Sequence, residues 1–174
     1  MKNKIFIYLL TSLVICGWKS DKAISQYKDV FSIYLAKNPN MYHTSEKPKL
    51  KDFVLDSIPL LTVDSITSYA WHSHLISFST QIKHRLENRE SLVDHLFVIV
   101  ANDERIYWGK FTDAADSYIS DSPEIFLPLR NRTSNPIPNG FKIGRGHIFD
   151  KDTVDVRNDI RIYNALKAAG KLLP

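Results

Sequence analysis

Cysteine is almost missing from this chain: 174 residues contain one, Cys16. A single thiol cannot close an intramolecular disulfide, so the fold must be held by an ordinary hydrophobic core. Repeats and low-complexity tracts are also absent, which argues against a solenoid or a disordered chain. No Gly-x-Ser-x-Gly elbow occurs, and no phosphate loop or cofactor motif, so no reaction is announced by a motif. Charge of one sign is lacking as well. Lys2 and Lys4 precede the first apolar run, and without them the 23 basic residues fall to 21, scattered against 19 acidic ones. That balance gives no support to nucleic acid as a partner. The first long apolar run, Ile5 to Cys16, is about twelve residues; at about 1.5 Å per residue it falls short of the roughly 30 Å hydrocarbon core of a bilayer.

What that run does resemble is an address. Lys2 and Lys4 followed by a short apolar stretch form the n-region and h-region of a secretory signal. Cys16 stands where the h-region ends. Leu13-Val14-Ile15-Cys16-Gly17 resembles the lipobox of bacterial lipoproteins, with Ile15 where that motif prefers a small residue. The leading expectation is a signal peptide over residues 1–16 with lipidation at Cys16, ahead of a plain secreted or periplasmic protein and of a buried core cysteine in an unprocessed chain. Residues 17–29 are polar and read as a tether, and residues 30–174 are long enough for one domain with a self-sufficient core.

Within that domain the most informative stretch is Leu96–Phe111. Leu96-Phe97-Val98-Ile99-Val100 is an unbroken apolar run rich in β-branched residues, the composition of a strand covered on both faces. Ala101-Asn102-Asp103-Glu104 offers residues that tolerate positive φ, and Arg105 to Phe111 alternates, so the unit predicts a central hairpin. Strict alternation places Ile106 and Trp108 on one face, and Tyr107, Gly109 and Phe111 on the other. Further strands are expected over Val30–Leu35, Phe53–Leu55, Leu75–Phe78, Glu124–Leu129 and Phe141–Ile143. Thr62 reads as the cap of a helical turn over Val63–Tyr69. Two main helices are expected over residues 79–90 and 159–169, the second presenting Ile160, Ile162 or Tyr163, and Leu166, and ending at Gly170. The sum is a single α+β domain with a mixed or mainly antiparallel sheet.

Several segments together resemble a family of small, uncharacterised bacterial lipoproteins and secreted proteins, a domain of unknown function. They are Pro59-Leu60-Leu61-Thr62, Asp64-Ser65-Ile66, Ser68 to His74, Phe97 to Val100, Arg105 to Phe111, and Arg157 to Ile162. The likeness spans most of residues 30–172 and implies an envelope location without implying an activity. Asp103 stands where the family pattern has glycine, and Ala115-Asp116-Ser117 where it has paired serines.

Few residues are candidates for chemistry. His72 and His74, two apart, would share a face if they lie on a strand, and with a third ligand they could bind zinc or copper. The plainer expectation is a buried His74 at the core border and an exposed His72. Arg157 and Arg161 could together clamp a carboxylate or phosphate; ion pairs with Asp155 or Asp159 are the plainer account. Trp108 could line a sugar or peptide groove, and Ser117 lies in a polar loop after the hairpin. These four, Arg157, Arg161, Trp108 and Ser117, are the candidate ligand-binding residues. No catalytic residue is nominated. The functional expectation is a non-catalytic binding or accessory domain of the cell envelope, with a membrane reached through its lipid anchor and an envelope protein or cell-wall component as partner. The alternative is a metal-binding protein or metal-dependent enzyme using His72 and His74.

Overall fold

An apolar run that is buried on both sides needs two cores, and the structure supplies them. In the computed structural model, residues 30–37, 48–87, 92–113, 121–127, 139–146 and 154–174 are described. Cys16, the tether and Ser117 lie outside them. Strand β5 (Leu96–Ala101) is buried at every position. Phe97, Ile99 and Ala101 face a large core, and Leu96, Val98 and Val100 a smaller one. On one side β5 pairs antiparallel with β1 (Phe31–Leu35), and on the other with β6 (Glu104–Thr112). The hairpin turn between β5 and β6 places Asn102 at φ 50° and Asp103 at φ 64°, the two left-handed residues of a tight hairpin turn.

The alternation expected along β6 is reset by a bulge. Pairing steps from Ile99↔Tyr107 to Val100↔Arg105, which leaves Ile106 as an extra residue. Ile106 and Tyr107 therefore both join the large core, and Trp108 alone turns to the smaller one. There Trp108 meets Phe53 with ring centroids 5.7 Å apart. Phe53–Leu55 is correspondingly not a strand of the sheet. Leu55 makes one isolated bridge to Ala36, and the segment is tied down by Arg105, whose Nη1 donates to the carbonyls of Leu50 (2.7 Å) and Phe53 (3.0 Å).

The remaining strands are β2 (Leu61–Thr62), β3 (Ile66–Ala70), β4 (Leu75–Phe78), β7 (Glu124–Phe126), β8 (Gly140–Gly144) and β9 (Leu172–Leu173). They form one mixed sheet in the order β2-β1-β5-β6-β7-β8-β4-β3-β9. Pairing is antiparallel except between β6 and β7 and between β3 and β9. Gly109 permits the first of these: a Cβ there would run into the Pro123 carbonyl and the Phe97 ring. The sheet curls round its large core, because Phe31 on β1 meets Tyr69 on β3 edge to face at 6.2 Å although the two strands lie far apart in the sheet order. Phe97, Phe111, Phe141 and Phe78 form a chain of edge contacts at 5.0 to 5.6 Å across the concave side. Each such ring removes enough apolar surface from water to contribute roughly 1.5–3 kcal/mol.

Two helices complete the single α+β domain. Helix α1 (Thr80–Glu87) buries only Leu86 fully, and Arg85 fastens it by donating to the Leu60 carbonyl at 2.6 Å. Helix α2 (Ile160–Ala168) lays Ile162, Ala165 and Leu166 into the large core. Asp159 caps it, and Gly170 follows it at φ 68°. Ile160, expected on the apolar face, is 64% exposed instead. The helical turn expected over Val63–Tyr69 is also replaced, by a turn and β3. The Ser65 hydroxyl accepts from the Thr62 N–H (2.7 Å) and donates to the Thr62 carbonyl (2.8 Å), so the residues that resemble a helix cap close a strand-to-strand turn. Strand β9 had no counterpart in the sequence reading.

Candidate ligand-binding site

β3 and β4 are joined by Trp71-His72-Ser73-His74, and the turn rather than either strand carries both histidines. The expected shared strand face does not exist. His74 takes a left-handed backbone, φ 51°, and its carbonyl accepts from the Ile143 N–H at 3.0 Å, which locks the turn to the β8 side. Its side chain is 4% exposed, while His72 stands in solvent. The expectation of a buried His74 and an exposed His72 thus holds, with the Tyr69 hydroxyl, 3.0 Å from Nδ1, as the partner of the buried ring.

Around His74 lies a cluster of polar groups inside the curled sheet. Burial, and next the positive charge of Arg157, hold the His74 imidazole below its ordinary pKa, with Asp155 opposing. Burial pushes the Tyr69 phenol well up, so the pair is neutral near pH 7. Arg157 is engaged on three sides. Its Nε and Nη2 donate to Asp155 at 2.9 and 2.6 Å, and its Nη1 donates to the Ile143 carbonyl at 2.7 Å. These hydrogen bonds from Arg157 keep the Asp155 carboxyl below the usual carboxylate range. The Tyr107 hydroxyl, fully buried, has no hydrogen-bond partner among the described residues, and burial raises its pKa too.

Outside this cluster, and sharing Trp71 with it, is an open groove of about 420 Å³ lined by Trp71, His72, Tyr163, Lys167, Leu172 and Pro174. Trp71 and Tyr163 meet nearly at right angles, 79°, with centroids 5.1 Å apart, and make an apolar corner. The Trp71 ring also touches His74 (5.8 Å) and Tyr69 (6.0 Å), so it is braced from inside. Its backbone N–H donates to the Leu173 carbonyl at 3.0 Å, which fixes the turn against β9. Tyr163 and Lys167, four apart on α2, rise together on the flank beside its buried stripe. Lys167 Nζ sits 5.7 Å from the centre of the Tyr163 ring.

The sequence candidates are dispersed by this arrangement. Arg157 and Arg161 do not make one clamp: Arg157 is held inside by Asp155, and Arg161 outside by Asp159 and Glu104. Trp108 lies across β6 from Tyr107, in the smaller core. His72 reaches the groove, His74 the interior, and among the described residues no three His, Cys, Asp or Glu side chains gather to hold a metal ion. Trp71, Tyr163 and Lys167 were not singled out from the sequence. Their only local signal is the Tyr163/Lys167 pair at helical spacing, since the turn that completes the groove is some ninety residues earlier. Searches of family models, curated proteins and solved structures found no match to this chain.

Proposed function

We propose that the protein is a non-catalytic binding or accessory domain of the bacterial cell envelope, extracytoplasmic and lipid-anchored at Cys16, with its ligand seated in the groove between the β3–β4 turn and α2. The observation that carries the binding role is the braced Trp71–Tyr163 corner with Lys167 and His72 at its rim. Flat apolar surface beside a few convergent polar groups is the usual composition of a small-molecule site. The envelope location is supported by Lys2, Lys4, the apolar run to Ile15, and Cys16. No helix among the described residues is long and apolar enough to cross a membrane.

Thermal unfolding of the full chain against divalent metals, cell-wall fragments and small anions tests the binding role, because a ligand of the native state alone raises the midpoint by mass action. A shift with a wall fragment or anion that disappears in Trp71→Ala is the expected result; no shift with any member of the panel removes the reading. Lipidation is tested separately by labelling cells with a tagged fatty acid, where Cys16→Ser should lose the label. A second reading, a zinc or copper protein, rests on two imidazoles in one four-residue turn. A zinc or copper shift lost in both His72→Ala and His74→Ala would establish it.

A further inference from the structure

We infer that the polar cluster inside the curled sheet binds one ordered water, which accepts from Arg157 and bridges the Tyr107 and Tyr69 hydroxyls. The argument starts from Tyr107. It is 4% exposed, belongs to the large core, and its hydroxyl has no hydrogen-bond partner among the described residues. A phenol shut away from solvent without a partner loses its hydration and gains nothing in exchange. Buried polar groups are as a rule satisfied, by protein or by an internal water. The surroundings of this hydroxyl are polar. The helical turn Val156–Asn158, which carries Arg157, packs against β6, which carries Tyr107. Tyr69, Arg157 and Asp155 all act on the ionisation of the Tyr107 phenol, so both hydrogen-bonded pairs of the cluster, Tyr69–His74 and Asp155–Arg157, lie within its electrostatic reach.

Charge and hydrogen-bonding capacity together select the guest. Arg157 is balanced by Asp155, and both phenols and the imidazole are neutral near pH 7, so the cluster offers an ion no net counter-charge. A neutral molecule suits it. A guanidinium has N–H groups beyond those that Arg157 spends on Asp155 and Ile143, leaving one free on each terminal nitrogen. When the Tyr69 O–H donates to His74 Nδ1, 3.0 Å away, the Tyr69 oxygen can still accept. A water placed among them accepts from Arg157 and from the Tyr107 O–H and donates to Tyr69. That is the usual complement of about three hydrogen bonds for an internal water. The bridge ties β6 of the central hairpin to Tyr69, and through His74 to the turn that carries Trp71.

The test turns on the sign of one substitution. Tyr107→Phe keeps the ring and removes only the hydroxyl. Were that hydroxyl an orphan, its loss would stabilise the fold; if it holds a water, its loss costs a net hydrogen bond. The expected result is a folding equilibrium constant roughly two- to tenfold lower, read from urea unfolding of the full chain. A crystal structure fine enough to show ordered solvent should place a water about 2.7–3.0 Å from Tyr107 Oη, within hydrogen-bond distance of both Arg157 and the Tyr69 hydroxyl. Equal or greater stability of Tyr107→Phe overturns the inference. A dry hydroxyl, or one bonded to a protein group in place of water, overturns it too, even where the variant is destabilised. Neither measurement involves a ligand in the groove, so the outcome is independent of the binding role.

Discussion

Asp155-Val156-Arg157 and Asp159-Ile160-Arg161 are the same device built twice, end to end. In each, the aspartate accepts from the backbone N–H two residues on, at 3.1 and 2.9 Å. Each then takes a side-on pair from the same arginine, Nε at 2.9 Å in both and Nη2 at 2.6 and 2.7 Å. The last nitrogen separates them. Arg157 Nη1 reaches inward to the Ile143 carbonyl of β8, and Arg161 Nη1 reaches outward to Glu104. The arginine side chains are 13% and 43% exposed. Local sequence writes the turn, and its surroundings decide what the turn is worth: a buttress within the sheet in one case, a helix cap at the surface in the other.

The largest expected difference comes from cutting the inner turn. Arg157→Ala strands the Asp155 carboxylate and the Ile143 carbonyl, and should cost about 3 kcal/mol in urea unfolding at pH 7. A cost under about 1 kcal/mol would place the inner turn in the class of surface pairs and end the contrast. Acid separates the regions next. His74 has a folded pKa below its ordinary 6.5, so as pH falls past that value the unfolded chain takes the proton first. Its contribution is complete above 6.5 and is lost as pH drops through the folded value. Asp155 and Asp159, both depressed from 3.8, contribute above that pH and lose their share below it. A stability–pH curve should therefore descend in two stages, and His74→Gln should abolish the first and spare the second. If the first stage persists in that variant, the inner cluster is not its source. For the outer turn, Asp159→Ala removes the cap of α2 and should cost about 1 kcal/mol in the same urea titration. Smallest of all is Arg161→Ala, expected near the limit of detection in thermal unfolding. Its residual effect should vanish between about 0.1 and 1 M salt, where the screening length falls from about 10 to 3 Å, while that of Arg157→Ala persists.

What could be read from the chain itself follows the same division between local and distant causes. The β5–β6 hairpin was legible because five apolar residues and Asn102-Asp103 specify it without outside help. Gly170 as the stop of the last helix was legible for the same reason. The bulge at Ile106 was not, since nothing in a one-residue insertion alters the apolar pattern until a partner strand counts it. Thr62 and Asp64 satisfy the rules for a helix start, and only pairing with β1, β4 and β9 turns that segment into strands. At the site, the histidine pair was visible, but the left-handed His74 that parts the two rings was not. The groove was hidden altogether, because Trp71 and Tyr163 become neighbours only when the last helix docks on the first turn of the sheet's far edge.

The parallel pairing of β9 with β3 bears on the order in which the molecule can assemble. Tyr69 and Ala70 pair with Leu172 and Leu173, and Lys171 Nζ reaches back to the Ile66 carbonyl at 2.9 Å, all across about a hundred intervening residues. The β3–β4 hairpin closes over a short loop and is kinetically cheap; the β3–β9 contact closes one of the longest loops in the chain and is expected late. Leu172 of β9 and Trp71, the residue that directly follows β3, both line the groove. Ligand binding would then report completed folding: an intermediate with its hairpins in place and its edge still open would have a core and nowhere for a ligand to sit.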